Sequence, residues 1–486
     1  MKLEAVLEQV PVLEWSGHRD AEVLGVAYHS KAVSQGTLFC TWQGLKSDGH
    51  AFVRDAVERG ASAIVSEKSI DGVSCPRVKV SSGRAALSRI AANFYSRPAL
   101  ELKMIGITGT NGKTSTSFLV HHLLETLGWK SGLLGTVLYD LGDGIIPAER
   151  TTPEGLDIQR HLRHMRDCGC SAAVMETSSH ALEQGRVDGI PFGVAVFTNL
   201  TQDHLDYHGT MEKYFAAKQQ LFLSLQPGQW AVLNQDDPFA RRILESLPAG
   251  VKTFTFGEGQ GVDLRADEVC YHANGTEFTL HYQGSAARVV SPWVGSFNLS
   301  NTLAAIGVVL TLGFDFHKAV EAVATAPFVP GRLERVVHDG DFLVLIDYAH
   351  TDDAVRKVAS VVRPLAKGRL RILIGCGGNR DKAKRPLMAR AACEQADEVI
   401  FTADNPRNED LSEILRQMTA GVAGFSNFTV IPDRAEAIAH LIRTARPGDA
   451  LLIAGKGHET TQEIAGVKHS FSDREVVKTF LKEVRL

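Results

Sequence analysis

The sequence has little of several features that mark whole classes of protein. Its seven cysteines are odd in number and scattered over 486 residues, which argues against the disulfide framework of a secreted domain. No apolar run approaches the roughly 18 residues that a membrane-spanning helix needs. Residues 1–15 carry charges every few positions and do not resemble a signal peptide. We therefore expect a cytoplasmic protein without a membrane span.

The chain also lacks an excess of charge of either sign. Its 52 basic and 56 acidic residues give a formal net charge of −4, so we expect no general attraction to nucleic acid. Hydrophobic residues make up 44% and charged residues 22%, the balance of a globular protein. At about 150 residues per domain, the length predicts about three domains. Composition alone does not distinguish an enzyme from a scaffold.

Short β-branched runs alternate with helical patterns along most of the chain, which predicts an α/β fold. Three sections can be distinguished, at residues 1–98, 99–330 and 331–486. Pro98 indicates the first boundary, because proline disfavours helix at the preceding residue, and the Pro/Gly-rich segment 327–331 indicates the second. Predicted strands of the first two sections lie at 37–42, 63–66, 78–80, 102–107, 172–175, 194–198 and 230–233.

The third section contains four apolar runs that are each followed at once by a polar loop. The runs lie at 343–346, 371–374, 398–401 and 451–454, and the loops read DYAH, GCGGNRD, TADNPRNED and GKGHE. In open α/β sheets, ligands bind outside the carboxyl ends of the strands. The sequence therefore predicts one crevice lined by four loops.

The most specific local pattern is GITGTNGKT at residues 106–114, between a predicted strand and a predicted helix. Glycines let backbone N–H groups approach phosphate oxygens, and the helix N-terminus adds partial positive charge. Lys113 would reach the β- and γ-phosphates, and the Thr114 hydroxyl would help to hold Mg²⁺. The strict pattern would need glycine where Ile107 stands, so a glycine-rich helix start with a chance Lys-Thr is the alternative.

Three further residues suit a triphosphate site. Glu176 directly follows the run 172–175, and its hard carboxylate oxygens suit Mg²⁺. His204 follows the run 194–198 and is either a metal ligand or a loop histidine. Lys218 falls inside the apolar stripe of a predicted helix at 211–225, where snorkelling is the simple explanation. A buried lysine is costly unless it is paired or chemically changed.

A possible zinc cluster needs separate consideration. His161, His164, Cys168 and Cys170 lie close together in the sequence. The Cys-x-Cys spacing does not match the usual zinc patterns. We therefore favour a helix at about 155–167 followed by a turn.

Taken together, the motifs resemble those of the Mur ligases, the ATP-dependent enzymes that add amino acids to peptidoglycan precursors. The resemblance extends over nearly the whole chain. It is carried by TGTNGKT (108–114), METSSH (175–180), TNLTQDHLDYHG (198–209), AAK (216–218), FNLSNTLAA (297–305), PGRLE (330–334), DYAHT (347–351) and GKGHE (455–459).

The resemblance implies a three-domain α/β fold. A smaller N-terminal α/β domain (1–98) would bind the uridine part of UDP-MurNAc. A central P-loop-type ATPase domain with a mostly parallel sheet (99–330) would bind ATP and Mg²⁺. A C-terminal Rossmann-like domain (331–486) would bind the amino acid.

The resemblance also implies the reaction. The loop DNPR at 404–407 is similar to that of the members that add meso-diaminopimelate. ATP would convert the D-Glu carboxylate of UDP-MurNAc-L-Ala-D-Glu into an acyl phosphate, which the amine of diaminopimelate would attack. The small-molecule substrates would then be the partners, with the protein as a monomer and no nucleic acid involved.

Site residues are implied by position in the matched motifs. The catalytic residues would be Lys113, Glu176, His204 and Lys218. The metal ligands would be Thr114, Glu176, His204 and Lys218, the last as a carbamate. The ATP contacts would be Gly109, Thr110, Asn111, Gly112, Lys113, Thr114, Ser115, Asn301, Arg332 and Asp347.

Two substrate sites are implied in the same way. The UDP-MurNAc-dipeptide would contact Ser30, Thr151, Thr152, Ser178, Gln184 and Arg186. Diaminopimelate would contact Arg380, Asp404, Asn405, Pro406, Arg407, Gly455 and Glu459. The sequence departs from the family pattern around uridine, with His29 and Lys31 beside Ser30 and with Leu45-Lys46 in the second loop.

Three other interpretations compete with this one. Folylpolyglutamate synthetase shares the GTNGKT-type loop, but the DNPR loop and a full first section argue against it. A P-loop switch or motor would not need four polar loops in a separate third section. A catalytically inactive scaffold is disfavoured because Lys113, Glu176, His204 and Lys218 are all present.

Overall fold

The computed structural model describes residues 1–44 and 47–483. These residues form two compact units, each built from three segments of the chain. Unit 1 comprises Met1–Ala266, Leu280–Ala287 and Ser300–Ala322, and unit 2 comprises Asp267–Thr279, Arg288–Leu299 and the chain from Val323 onward. The finer division at residues 98 and 330 stays a prediction.

Unit 1 begins with a five-stranded sheet and three helices. Its elements are α1 (Leu3–Val6), β1 (Val12–Ser16), β2 (Gly25–Ala27), β3 (Thr37–Thr41), α2 (Val53–Glu58), β4 (Ala61–Ser66), β5 (Arg77–Val80) and α3 (Gly83–Phe94). The strand order is β1-β5-β4-β3-β2, with only the pair β1–β5 antiparallel. The three predicted strands are confirmed. The edge strands β1 and β2 escaped prediction because few of their residues are buried.

The next part of unit 1 holds a larger, mainly parallel sheet. Its elements are β6 (Lys103–Thr108), α4 (Lys113–Thr126), β7 (Ser131–Leu134), β8 (Leu138–Asp140), β9 (Ile145–Pro147), α5 (Gly155–Asp167), β10 (Ala172–Glu176), α6 (Ser179–Glu183), β11 (Val194–Phe197), α7 (Leu205–His208), α8 (Met211–Leu223), β12 (Trp230–Asn234), α9 (Pro238–Ser246) and β13 (Lys252–Gly257). The parallel strands run in the order β13-β12-β11-β6-β10-β7, and β8 and β9 continue antiparallel. The carboxyl ends of β6, β10 and β11 therefore meet at one edge.

Five elements contribute residues to both units. They are β14 (Leu264–His272), β15 (Gly275–Tyr282), β16 (Ser285–Ser291), α10 (Ser296–Thr311) and α11 (Phe316–Val323). Single 3-10 turns lie elsewhere in the chain, at Ser30–Ala32, Gly49–Phe52, Pro98–Leu100 and Arg363–Leu365. Within residues 1–44 and 47–483, no helix is both long and apolar enough to cross a bilayer.

Unit 2 contains a six-stranded sheet and a small hairpin. The elements after α11 are β17 (Glu334–Arg335), β18 (Leu343–Asp347), α12 (Asp352–Val362), β19 (Leu370–Cys376), α13 (Lys384–Gln395), β20 (Glu398–Ala403), α14 (Leu411–Ala420), β21 (Phe428–Val430), α15 (Arg434–Arg443), β22 (Ala450–Ala454), β23 (Thr461–Ile464), β24 (Val467–Ser470) and α16 (Asp473–Glu483). The sheet order is β17-β18-β22-β19-β20-β21, and only β17 is antiparallel.

Both faces of this sheet are covered by helices. Alternate strand residues such as Leu345 and Ile372 pack against α12, α13 and α14, whereas Val344 and Leu373 pack against α15 and α16. Burial on both faces explains why the strands read as continuous apolar runs. The four predicted runs are the adjacent strands β18, β22, β19 and β20, so their four polar loops do lie along one edge.

A fully buried ion pair joins α15 to α16 near this edge of the sheet. The Arg434 guanidinium donates to both carboxylate oxygens of Asp473 at 2.7 Å, and neither side chain is exposed. Arg434 also donates to the carbonyl oxygens of Ala403 and Ala454, the last residues of β20 and β22. The pair therefore holds two strand ends directly before Asp404 and Gly455.

We predict that Asp473→Ala lowers the free energy of unfolding by about 3–5 kcal/mol, because a buried guanidinium would lose its counter-charge. Chemical denaturation measures the change. Glu475→Ala is the matched control, since it removes an exposed ion pair to Lys478 from the same helix. Equal effects of the two substitutions would contradict the assigned role of the buried pair.

Candidate nucleotide and ligand sites

The loop between β6 and α4 is shaped by two glycines. Gly109 has φ +153° and Gly112 has φ +83°. A Cβ atom at Gly109 would lie 1.9 Å from Thr198 Oγ1, and one at Gly112 would lie 2.3 Å from Asn301 Oδ1. The loop thus has no room for side chains there. It delivers the chain to the N-terminus of the 14-residue helix α4, the expected setting for binding a phosphate group.

Two lysines converge on this loop. Lys113 Nζ donates to the carbonyl oxygens of Gly109 and Thr110 at 2.8 Å, and Lys218 Nζ donates to the same Gly109 oxygen at 2.7 Å. Lys218 is only 1% exposed and also lies 4.5 Å from the centroid of the Tyr214 ring. The predicted burial of Lys218 in the stripe of α8 is confirmed.

The environment of Lys218 disfavours its charged form. Burial holds the pKa of Lys218 well below that of an ordinary lysine, and the nearby Lys113 charge lowers it further. Asp203 acts in the opposite direction but more weakly. Among the described residues, no carboxylate lies within ion-pair distance of Lys218. The site therefore favours the neutral amine more than water does, and the neutral amine is the nucleophilic form of lysine.

An oxygen cluster forms at the end of β10. Glu176 is fully buried, and it accepts hydrogen bonds from the Thr114 hydroxyl at 3.1 Å and from the backbone N–H and hydroxyl of Thr136 at 2.8 and 3.0 Å. The hydroxyl oxygens of Thr136 and Thr151 lie 3.1 Å apart, within hydrogen-bond distance. Thr114 and Glu176 are thus brought together as predicted. Their hard oxygens fit Mg²⁺ better than a soft metal.

His204 lies beside this region in a ring cluster that the sequence did not reveal. Its side chain is 46% exposed, and its ring lies 4.9 Å from that of His180 and 6.0 Å from that of Tyr214. Burial lowers the pKa of His204, and the charges of Lys113 and Lys218 lower it further, while Asp203 raises it. A neutral imidazole can donate its lone pair to a metal.

The predicted ATP contacts fall in both units. In unit 1, Asn301 accepts a hydrogen bond from the Thr116 hydroxyl at 3.3 Å, next to Gly112. In unit 2, the buried Asp347 accepts from the backbone N–H groups of Leu333 and Ala349, both at 2.8 Å. Burial raises the pKa of Asp347. Arg332 lies over the Tyr348 ring, 5.4 Å from its centroid.

The residues predicted for the UDP-MurNAc-dipeptide form a connected polar cluster in unit 1. The Thr152 hydroxyl donates to the Glu176 carbonyl oxygen at 2.7 Å, and its oxygen lies 3.3 Å from the Ser178 hydroxyl oxygen. Arg186 donates to the Thr152 carbonyl oxygen at 3.0 Å and to Gln184 Oε1 at 2.7 Å. Thr151 joins through Thr136. Five predicted residues are thus linked with the oxygen cluster.

Sequence reasoning missed the carboxylate that organises this cluster. Glu154 is 3% exposed and lies 2.5 Å from Arg150, 3.4 Å from Arg186 and 3.5 Å from Arg84. A glutamate at the start of a helix is an ordinary feature, so no local pattern distinguishes Glu154. The structure leaves an excess of positive charge here, which suits an anionic ligand.

Ser30 lies in a 3-10 turn of the first sheet region and is buried. Its hydroxyl forms a hydrogen bond with the Asp55 carboxylate. This hydrogen bond, together with that of Arg59, lowers the pKa of Asp55. Nearby, the Tyr28 hydroxyl donates to Asp157 at 2.8 Å. Leu45 and Lys46, the departures noted in the second uridine loop, lie outside the described residues.

In unit 2, a buried lysine organises the predicted amino-acid pocket. Lys456 is not exposed, and its ammonium donates to Glu459 at 2.9 Å, to Asn405 Oδ1 at 3.2 Å and to the Thr461 carbonyl oxygen at 2.8 Å. Asp404 lies 3.7 Å from the same ammonium. Sequence reasoning picked the flanking Gly455 and Glu459 but missed Lys456, although the motif GKGHE contains it.

The two carboxylates of this pocket differ in their environment. Burial raises the pKa of Asp404, and Arg434 and Lys456 only partly oppose this. Burial would also raise the pKa of Glu459, but Lys456 and the Asn405 amide outweigh it and lower the pKa. Both acids follow strands at the carboxyl edge of the sheet and lie close to the single Lys456 ammonium, so together they carry one more negative charge than Lys456 supplies positive charge.

Arg407 provides the cationic side of the pocket. It has φ +55°, donates to the Gly378 carbonyl oxygen at 2.7 Å and lies 3.4 Å from Glu463, a residue that sequence reasoning missed. Its neighbour Pro406 packs closely on Gly378, where a Cβ atom would lie 1.8 Å from the Pro406 carbonyl oxygen. Arg380 lies exposed on the same loop as Gly378. The pocket therefore offers a guanidinium as well as carboxylates.

Three family models match the chain. Residues 22–95 match "Mur ligase family, catalytic domain", residues 107–309 match "Mur ligase middle domain", and residues 331–457 match "Mur ligase, glutamate ligase domain". The matched segments are in the order that the motifs predicted.

Curated relatives match over the full length. A UDP-N-acetylmuramoyl-L-alanyl-D-glutamate–2,6-diaminopimelate ligase of Geobacillus kaustophilus (strain HTA426) is 44% identical over 491 residues, covering 99% of this chain and 100% of that protein. The ligase of the same name from Bacillus licheniformis is 41% identical over 490 residues, covering 100% of this chain and 99% of that protein.

Solved structures agree with the predicted fold class. A UDP-N-acetylmuramoyl-L-alanyl-D-glutamate–2,6-diaminopimelate ligase superimposes with a TM-score of 0.74 at 33% identity, covering 99% of each chain. A folylpolyglutamate synthase from Mycobacterium tuberculosis in complex with ADP has a TM-score of 0.62 at 17% identity, covering 76% of this chain and 91% of its own. The second likeness is one of fold alone.

We predict that Gly112→Ala weakens ATP binding at least about tenfold, because an added Cβ meets Asn301 and the backbone is strained as well. Gly128→Ala is the control. Gly128 has φ +91° near the other end of α4 and has nothing within 4 Å of its Cβ position. Calorimetric titration of both folded variants with ATP measures the difference. Equal affinities would refute the shape assigned to the loop.

Proposed function

This chain belongs to the Mur ligase family, and we propose that it is an ATP-dependent ligase that joins meso-diaminopimelate to UDP-N-acetylmuramoyl-L-alanyl-D-glutamate. The observation that carries the choice of amino acid is the pocket of unit 2, which combines Asp404 and Glu459 with Arg407. The far end of meso-diaminopimelate bears both an ammonium and a carboxylate. Such a group needs an anion and a cation side by side.

The proposed reaction has two steps. A carboxylate is a poor electrophile, so the D-Glu carboxylate oxygen first attacks the γ-phosphorus of ATP, and ADP leaves. The amine of diaminopimelate then attacks the carbonyl carbon of the acyl phosphate, loses a proton and expels inorganic phosphate. Negative charge accumulates in both steps, so cationic groups near the phosphates accelerate them.

Residues 109–115 are proposed to hold the phosphates of ATP, with Asn301, Arg332 and Asp347 as further nucleotide contacts. Lys113 now donates to carbonyl oxygens of its own loop. We infer that its ammonium turns to the β- and γ-phosphates when ATP binds. The exchange costs little, because one set of hydrogen bonds to oxygen replaces another.

Thr114, Glu176, His204 and a carbamate on Lys218 are proposed to hold Mg²⁺. When bound, the ion would supply positive charge to the phosphate oxygens. The buried Glu176 supports this set, since it accepts only hydrogen bonds from Thr114 and Thr136 and forms no ion pair with a described residue. Its carboxylate is therefore held in place without a cation of the protein.

Lys218 is proposed to be carbamylated. Its neutral Nζ would attack the carbon of CO₂, a C–N bond would form, and one proton would leave to solvent. The product is an anion beside Lys113 rather than a second cation. The lowered pKa of Lys218 supports the step, because only the unprotonated amine reacts.

The cluster of Thr151, Thr152, Ser178, Gln184 and Arg186 is proposed to bind the peptide end of the nucleotide substrate, and Ser30 its uridine end. Arg186 would meet a carboxylate of the substrate. Its neighbour Glu154 does not fully neutralise the Arg186 charge, because Glu154 also faces Arg84 and Arg150. These roles correspond to the proposed domains 1–98 and 99–330, with 331–486 binding the amino acid. We propose a monomer that works in the cytoplasm.

An acceptor-dependence assay tests this function. We expect ADP release from ATP to require UDP-MurNAc-L-Ala-D-Glu and meso-diaminopimelate together, with little release when L-lysine replaces diaminopimelate. Folate with glutamate as acceptors would indicate the folylpolyglutamate reaction instead. ATP turnover that is indifferent to every acceptor would favour a switch and overturn the proposal.

Within this assay, Arg407→Ala should raise the KM for diaminopimelate by about 10- to 100-fold, because hydrogen bonds to a charged group are lost. The KM for ATP should stay near its parental value. Arg416→Ala is the control, since that arginine is 69% exposed on α14 and pairs with Glu413. Unchanged KM values for diaminopimelate in Arg407→Ala would remove the assignment of Arg407.

The carbamate gives a separate prediction. Lys218→Ala should lose most of its activity and regain part of it when a short carboxylate such as formate is added. Lys213→Ala is the control, since Lys213 is exposed on the same helix, and it should stay near parental activity. In the parent protein, ¹³C-bicarbonate should give a carbamate signal in NMR spectra that Lys218→Ala lacks. Full activity in Lys218→Ala, or the same signal in both proteins, would contradict the modification.

A further inference from the structure

A group of metal-binding side chains lies outside the proposed catalytic machinery. Asp143 stands in the turn between β8 and β9, and His164 and Cys168 stand at the C-terminal end of α5. Asp143 Oδ1 lies 2.8 Å and Cys168 Sγ lies 3.5 Å from the same nitrogen, His164 Nε2. All three donor atoms lie within 4.8 Å of one another. We call these three residues the Asp143 cluster.

The cluster differs from the group that the sequence suggested. The helix predicted at 155–167 is confirmed as α5, and His161 on it is buried with its ring 5.4 Å from that of Tyr139. Cys170 is buried as well. Of the four residues that the sequence suggested, His164 and Cys168 face Asp143. Asp143 lies 21 positions before His164, and the sequence pattern did not indicate it.

Helix geometry explains why His164 and Cys168 meet. Residues four apart lie on one face of a helix, so the imidazole and the thiol approach each other without strain. The same spacing of donors is common in metal sites formed by helices. The chain therefore supplies two ligands from a rigid element.

The facing turn is held in place by close packing. Gly142 has φ +92°, and a Cβ atom there would lie 2.5 Å from Cys170 Sγ and 3.7 Å from the Cβ of Cys168. The Gly142 N–H donates to Asp140 at 2.9 Å, and the Leu141 N–H donates to the Gly144 carbonyl oxygen at 3.0 Å. The turn thus rests directly on the cysteine segment and presents the Asp143 carboxylate to it.

The Asp143 cluster is far from the residues proposed to hold Mg²⁺. Cys168 and Cys170 precede β10, whereas Glu176 ends it, and a strand rises about 3.3 Å per residue. The two places therefore lie on the order of 20 Å apart, at opposite ends of the same strand. Their donors differ as well, because a thiolate and an imidazole suit Zn²⁺ whereas carboxylate and hydroxyl oxygens suit Mg²⁺.

We propose that Asp143, His164 and Cys168 bind Zn²⁺ as a second metal site of this protein. In a tetrahedral zinc site with bonds of about 2.0–2.3 Å, donor atoms lie about 3.5 Å apart. Here two of the separations are 2.8 and 3.5 Å and the third is within 4.8 Å. Zinc binding displaces the proton of the thiol and leaves the fourth position to water. The ion would join the β8–β9 turn to the end of α5. The loop that carries Thr151 and Thr152 joins the other ends of β9 and α5.

Cobalt substitution tests the proposal, because a thiolate bound to Co²⁺ gives a near-ultraviolet charge-transfer band that oxygen and nitrogen ligands do not give. Chelator-treated full-length protein titrated with Co²⁺ should develop this band with one ion per chain. Cys168→Ser should lack it, and His164→Ala should weaken cobalt binding at least about tenfold. Cys270→Ser is the control, since Cys270 is an exposed cysteine outside the cluster.

Three results would overturn the proposal. The first is the absence of a thiolate band in the parent, and the second is a band that persists in Cys168→Ser. The third is a cobalt affinity of His164→Ala equal to that of the parent, because this result would indicate one adventitious thiol. Thermal unfolding with Zn²⁺ supplies the second measurement. Zinc should raise the midpoint of the parent and of Cys270→Ser but not of Cys168→Ser. Equal midpoint shifts in all three would also refute the site.

Discussion

The nucleotide-substrate site of unit 1 and the amino-acid pocket of unit 2 depend on one constraint, the burial of parallel strands on two faces. A strand such as β6 or β19 is buried along most of its length, so polar side chains accumulate where it ends. Because parallel strands end at the same edge, the loops after β6, β10 and β11 meet in unit 1, and those after β18, β19, β20 and β22 meet in unit 2. The chemistry of the protein is concentrated at these two edges.

Three buried cations show how differently the fold treats charge. Arg434 is neutralised by Asp473, and Lys456 by Glu459 with Asp404 nearby. Among the residues that the structure describes, Lys218 contacts a carbonyl oxygen and the face of Tyr214 but no counter-charge. The first two arrangements hold a structure in place, because both partners are charged and fixed. The third suits a reactive amine, because burial without a counter-charge favours its neutral form.

The sequence predicted buried strands in all three sections and the polar loops that follow them, since continuous apolar runs are a strong local signal, but it missed β7, although all four residues of that strand are buried. It did not predict the edge strands β1 and β2, whose residues are mostly exposed. Of the proposed site residues, those in recognisable motifs such as Lys113 and Asp404 were identified. Glu154, Thr136 and Glu463 were missed, because each acquires its role only from neighbours distant in the chain.

The sequence by itself determined the fold class, the family and the segments that carry the proposed chemistry, because strand periodicity and motif spacing are local properties. Only the tertiary structure decided which side chains meet. It brought Lys218 to the Gly109 carbonyl oxygen, Asp473 to Arg434 and Asp143 to His164, pairs that lie 109, 39 and 21 residues apart. Such contacts depend on how helices and turns pack against a sheet, and no local pattern records that packing.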